Sequence, residues 1–242
     1  MAWLYIRDDL EDASPGQSVD LTGDDVKHAV SVARVRVGER ITIGNGRGLC
    51  VTGTVLEVRS DRVVVSASEV EHHAQSQPSV TLVQALAKTD RAELAVQAST
   101  ELGVDTIVPW AARRSVVRWD GAKAIRGRER WQRIAREATK QSVRPWVPAV
   151  TELATTSDIV SRARDHHVLI LEPTASLSVT EVVFDSRGVV LVVGPEGGIT
   201  AEESAALQQA GACSVRLGAT VLRTSTAGPA ALAALAILLK RW

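Results

Sequence analysis

The chain has 242 residues, 45% of them apolar, with 28 basic and 28 acidic side chains and so no net charge. That length holds one large domain or two modest ones around a real core, and the balanced charge names no partner by itself. Cys50 and Cys213 stand far apart in apolar contexts, which predicts a reduced cytoplasmic protein. The acidic start MAWLYIRDDLED is no secretory leader, and the longest apolar run, Ala227–Leu239, is too short to span a membrane.

Short β-type runs occur at Trp3–Ile6, Arg40–Ile43, Gly48–Arg59 and Arg62–Ser68, with turn chemistry at Gly44–Gly48 and Ser60-Asp61. One helix is expected over Asp24–Val35. These make a small β-rich domain over residues 1–72. The polar stretch Glu71–Pro78 reads as a linker, and a second domain covers 78–242.

There the rhythm changes. The strands expected are Val80–Ala85, Thr106–Pro109, His167–Glu172, Gly188–Val193 and Ser214–Leu217. Helices are expected over Asp90–Leu102 (closed by Gly103), Gly121–Ser142, Thr156–Arg164, Val179–Val183, Ala201–Ala210 and from about Thr226. Near-continuous apolar strands alternating with helices predict a mostly parallel α/β sheet covered on both faces.

Charge is unevenly spread. Residues 1–75 carry 8 basic and 12 acidic side chains, whereas residues 112–146 carry 11 basic and 3 acidic. The second segment is a local cationic surface suited to a polyanion. Within it Glu137, Lys140, Gln141 and Arg144 share one helical face, read either as a solvated salt-bridged row or, with Arg113, Arg114 and Arg118, as a phosphate-binding surface. His72-His73 has no partners for a metal site, and no metal is expected.

Two glycine-bearing segments carry the chemistry. Gly194-Pro-Glu-Gly-Gly198 follows a buried strand and precedes a helix, which is where ligands bind in open α/β sheets. It is neither a Walker loop nor a dinucleotide fingerprint. Glu196 among the glycines is either a solvated turn residue or a group that contacts a cation or orients a substrate. In Leu217–Ala227, Arg223 lies at a helix N-terminus, where it serves a carboxylate or phosphate or simply faces water. Lys88 again follows the carboxyl end of a strand.

Taken in order, His28 and Arg34, Gln84-Ala85 with Lys88, Asp90-Arg91, Glu101–Val104, Arg113–Val117, Glu137 to Arg144, Gly194–Gly198 and Leu217 to Ala227 resemble the RsmE-type ribosomal RNA uridine-N3 methyltransferases of the SPOUT superfamily. The sequence departs from the usual family pattern at Ala98, at Ser225 and at its start, Trp3-Leu-Tyr-Ile6 with Arg7 displaced. The resemblance implies a PUA-like RNA-binding barrel followed by a trefoil-knotted α/β domain, and a homodimer. It implies an S-adenosylmethionine site made by Leu171 and Glu172, by Gly194, Pro195, Glu196, Gly197 and Gly198, and by Leu217, Gly218, Val221, Leu222, Arg223 and Thr224. It also implies a 16S rRNA or small-subunit substrate methylated at N3 of one uridine. On that basis Arg223, Glu196 and Lys88 are the expected catalytic groups. RNA contacts are expected from His28, Arg34, Arg113, Arg114, Arg136, Lys140, Gln141 and Arg144. A SPOUT enzyme acting on a ribose 2′-hydroxyl or on tRNA, a non-catalytic rRNA-binding factor and a nucleotide-binding α/β enzyme are the competing readings.

Overall fold

The computed structural model of the protein describes residues 4–88 and 90–242, so the expected strand residue Trp3 lies outside them. The chain divides into two compact units. One gathers the residues up to Gln75 together with Thr139–Val147, and the other gathers Ser76–Ala138 and Pro148–Trp242.

The first unit is a five-stranded mixed sheet in the order β1-β3-β4-β5-β2, formed by β1 (Leu4–Ile6), β2 (Ser18–Leu21), β3 (Arg40–Gly44), β4 (Leu49–Val58) and β5 (Val63–His72). Alternation sends Ile41, Ile43, Val51, Val55, Val63 and Val65 into one core. The pairing of β4 with β5 slips at Gly53, where the Ser66 carbonyl leaves no room for a side chain. Strand β5 runs into the expected linker as far as His72. The expected helix over 24–35 is shorter: α1 (Asp24–Lys27) continues as a π-helical turn, His28–Val32. Arg34 then takes a φ of +54°, and the Val35 amide reaches back to the Ala29 carbonyl, which closes the helix.

Residues 139–147, read from sequence as part of the second domain, join this first unit for a visible reason. The Gly48 amide donates to the Pro145 carbonyl at 3.0 Å, the Val147 amide to Gly46 at 3.0 Å, and the Trp146 indole to His73 at 2.8 Å. Gly48 has a φ of +100°, and a Cβ there would lie 2.5 Å from the His73 carbonyl oxygen and 2.7 Å from the Trp146 ring.

The second unit is a six-stranded, wholly parallel sheet in the order β11-β9-β10-β6-β7-β8. Its strands are β6 (Val80–Ala85), β7 (Thr106–Trp110), β8 (Ala149–Val150), β9 (His166–Leu171), β10 (Gly188–Val193) and β11 (Cys213–Val215). The helices are α2 (Arg91–Glu101), α3 (Ala122–Gln141, whose residues from Thr139 on count with the first unit), α4 (Thr156–Arg162), α5 (Ala201–Gln209) and α6 (Thr224–Leu238). Successive residues of β6 and β10 point into different cores. Leu82, Leu191 and Val193 meet Val96, Leu232 and Leu235, while Val83, Val190 and Val192 meet Ile159 and Leu207. Helices on both faces explain why these strands are mostly apolar on both sides, with Thr81 and Gln84 the polar residues of β6. From β11, at one edge, the chain returns to the middle of the sheet, where α6 lies on α2, β10 and β6. Gly228 permits that approach, since a Cβ there would already stand 3.0 Å from Leu82.

Candidate cofactor and substrate site

Strands β11, β9 and β10 are parallel neighbours, so their carboxyl ends open at the same sheet edge. The three loops that follow them enclose a cavity of about 620 Å³. Of the expected cofactor residues, Leu171, Glu172, Gly194, Pro195, Glu196, Gly198, Leu217, Gly218, Val221, Leu222, Arg223 and Thr224 all line it. Gly197 turns the other way. Its carbonyl accepts from the Arg114 guanidinium at 3.0 Å, and a Cβ there would stand 3.2 Å from Arg114. The loop is a tight turn, closed by the Gly198 amide on the Pro195 carbonyl at 2.8 Å with Gly198 at φ +74°. It ends at Thr200, whose hydroxyl caps α5 while Glu203 returns the bond.

The polar ties among the loops are specific. Thr224 Oγ1 donates to the Gly194 carbonyl at 2.8 Å and accepts from Gln84 Nε2 at 3.0 Å. Glu196 Oε1 accepts from the Lys88 amide at 3.1 Å and from Arg91 at 3.3 Å. Arg216 donates to the carbonyls of Ala175 and Ser176 and so fixes the loop after β9. Arg223 is different: it is exposed, and its side chain has no hydrogen-bond or ion-pair partner among the described residues. It occupies the N-cap of α6, so a guanidinium and the positive end of a helix sit together at the cavity.

Lys88 is not among the lining residues; its amide holds Glu196. The carboxylate engaged by Lys88 and Arg91 thus braces the Gly194–Gly198 loop against the residues after β6. Sequence reasoning missed Gln84, Arg91 and Arg216 as site residues. Only Gln84 left a signal: it is the amide in the mostly apolar strand Val80–Ala85.

The expected RNA residues fall into two groups. In the second unit, Arg113 is exposed while its amide donates to Glu203 Oε1 at 3.0 Å. That buried carboxylate also accepts from the Thr156 hydroxyl at 3.0 Å and the Thr200 amide at 3.2 Å. Arg114 clips Gly197, and Arg136 is half-buried on α3. In the first unit, Arg34 and Gln141 are exposed and Arg144 is half-buried. His28 is half-buried, its ring 6.1 Å from that of Tyr5. Burial, then the charges of Asp25 and Glu39, push the Tyr5 hydroxyl up to about 12. Lys140 does not lie on an RNA-facing row. It is 7% exposed and bonds Asp25 Oδ1 at 2.8 Å, so its charge is used inside the first unit.

Residues 74–236 match the family described as RNA methyltransferase domain, and residues 21–67 match the RNA methyltransferase PUA domain. Ribosomal RNA small subunit methyltransferase E of Mycobacterium bovis is 39% identical over 248 residues, covering 100% of this chain and 94% of its own. This chain belongs to that family. Its Bacillus subtilis member is 32% identical over 89% of this chain and 88% of its own. The crystal structure of the Neisseria gonorrhoeae member, bound to S-adenosyl methionine, superposes with a TM-score of 0.88 at 31% identity over 98% of both chains. A Legionella pneumophila methyltransferase in complex with the same cofactor superposes at 0.85 with 30% identity, covering 98% of this chain and 97% of that one. Family membership accounts for the PUA-like first unit and the SPOUT-type α/β second unit.

Proposed function

We propose that this chain binds S-adenosylmethionine in the cavity at the β9, β10 and β11 ends and methylates N3 of one uridine of 16S rRNA, the family's uracil 1498. It would act in the cytoplasm as a homodimer. The observation that carries this reading is the cavity itself. Three loops at consecutive parallel strand ends supply mainly backbone groups and apolar walls, with one unpaired cation, Arg223, among them.

The residues present fit such a cofactor. A cavity of about 620 Å³ is within the range of sites that enclose a drug-sized molecule, roughly 300–1,000 Å³. Leu171, Val193, Ile199 and Leu217 give it flat apolar walls for a purine, and Gly194 and Gly198 let backbone approach. When bound, the cofactor supplies an electrophilic methyl group.

Uridine N3 carries a proton and is a poor nucleophile until that proton leaves. Arg223 lowers the cost by stabilising the charge that develops on the neighbouring uracil oxygens. Glu196, on the cavity lining, accepts that proton directly or through water. Glu196, already held by the Lys88 amide and Arg91, fixes the loop that orients the reacting groups. The Watson–Crick edge must be unpaired for attack. Arg113 and the exposed arginines of α3 would hold the surrounding RNA backbone in the second unit, and His28, Arg34, Gln141 and Arg144 in the first. Dimerisation is supported by Leu94, Ile237 and Trp242, left exposed on α2 and at the end of α6.

Calorimetric titration with S-adenosylmethionine, with ATP and NAD as controls, is the first test. Transfer of a labelled methyl group to small subunits lacking the modification, followed by nucleoside mass spectrometry, is the second. Arg223→Ala should lose about 10²–10³-fold in turnover measured at saturating donor. Labelled 2′-O-methyl nucleoside, or no affinity for the methyl donor, would overturn the reading.

A further inference from the structure

The β6 strand lies in the middle of the sheet and every one of its six residues is buried. Gln84 is the side chain there with a full amide, at 0% exposure. It pairs in register with Val193, the residue before Gly194. Its Nε2 donates to Thr224 Oγ1 at 3.0 Å and to the Ala85 carbonyl at 3.2 Å, whereas its Oε1 is buried with no hydrogen-bond partner among the described residues. An amide buried with an unfilled oxygen is a poor choice for stability, and an apolar side chain of the same size would serve the core better. What the amide does provide is a chain of bonds. Gln84 Nε2 holds the Thr224 hydroxyl, and that hydroxyl donates to the Gly194 carbonyl at 2.8 Å. One buried side chain therefore sets the first turn of α6 against the loop after β10. One turn further along α6, Gly228 seats on Leu82 of the same strand.

We propose that Gln84 is a positioning residue of the methyl-transfer site, holding the Gly194 carbonyl and, through Thr224, the adjoining Arg223 where donor binding and transfer require them. Gln84 does not line the cavity, so its effect passes through Thr224. The proposal rests on the cofactor reading given above.

The test uses the full chain with Gln84→Met, which keeps shape and removes both polar groups, and with Thr224→Val and Thr224→Ser. Three quantities are measured: the thermal midpoint, the calorimetric Kd for S-adenosylmethionine, and the single-turnover methyl-transfer rate at saturating donor. Gln84→Met should retain or raise the midpoint, weaken donor binding by about tenfold, the equivalent of one well-placed hydrogen bond, and slow transfer. Thr224→Val should match it, Thr224→Ser should restore binding, and the Gln84→Met/Thr224→Val double variant should be no worse than either single one. Donor affinity and rate like those of the unaltered chain in Gln84→Met would overturn this proposal alone. So would a loss that follows only a lowered midpoint. If Gln84→Met does not fold, equal binding by Thr224→Val and Thr224→Ser would overturn it. Absence of donor binding by the unaltered chain would overturn the cofactor reading and this proposal with it.

Discussion

Replacing Lys140 with Met separates the role its sequence context suggests from the one its surroundings give it. The ammonium is 2.8 Å from Asp25 Oδ1, both side chains are 7% exposed, and Asp25 Oδ2 accepts the Ile6 amide at 2.7 Å. Removing the cation leaves a buried carboxylate with an amide in place of its counter-charge, which costs about 3–5 kcal/mol. Removing the charge from both partners, as in Asp25→Asn/Lys140→Met, should recover most of this, because Asn keeps an acceptor for Ile6. The expected coupling is at least about 2 kcal/mol. Urea unfolding followed through Trp146, which belongs to the same unit, reads the stability. Affinity for rRNA at several salt concentrations reads the other role. A lysine on a phosphate contributes about one to the salt slope, and the slope should be unchanged in Lys140→Met. A slope reduced by about one, with unfolding unchanged, would refute the buried-pair reasoning.

Gly127 of α3 faces Trp119, and a Cβ there would lie 2.5–2.7 Å from three indole atoms. Gly127→Ala should gain helix propensity yet lose a net of about 1–2 kcal/mol, because Trp119 must leave its T-shaped contact with Trp131 at 5.1 Å. An unchanged thermal midpoint would show that the indole moves without cost. The Arg187 side chain first, then the Arg187 amide and His167, hold the Asp185 carboxyl well below the usual carboxylate range. A depressed folded value means that the stabilisation is fully present above the unfolded value near pH 4, and is lost as pH falls through the folded one. Asp185→Asn should therefore flatten the acid limb of the stability profile below about pH 4, and a limb as steep as before would count against this pairing.

Much of the second unit was legible because its patterns are local in sequence. Val80–Ala85, His167–Leu171 and Gly188–Val193 are mostly apolar since both sheet faces are covered, with Thr81, Gln84 and His167 the exceptions, and the glycines of Gly194–Gly198 mark the break between strand and helix. Strand β2, Ser18–Leu21, escaped notice because four residues with only Val19 and Leu21 apolar give too short an alternation. Strand β8 has two residues and no pattern at all. Arg34 looks like any helix residue in sequence, yet it adopts the left-handed conformation that ends the helix.

Composition, periodicity and turn chemistry by themselves determined two sequence regions, a parallel α/β sheet, and the loops of the cavity. The patterns that announce all of these are read within a dozen residues. Tertiary structure alone decided which polar groups meet. Asp25 finds Lys140 115 residues away, Gln84 finds Thr224 140 away, and Glu203 finds Arg113 90 away. It also returned residues 139–147 to the first unit through backbone bonds to Gly46, Gly48 and His73. A helical face of Glu137, Lys140, Gln141 and Arg144 reads as solvated until something packs on it. What packs on it is set by the path of the whole chain, and a buried partner turns a surface charge into a structural one.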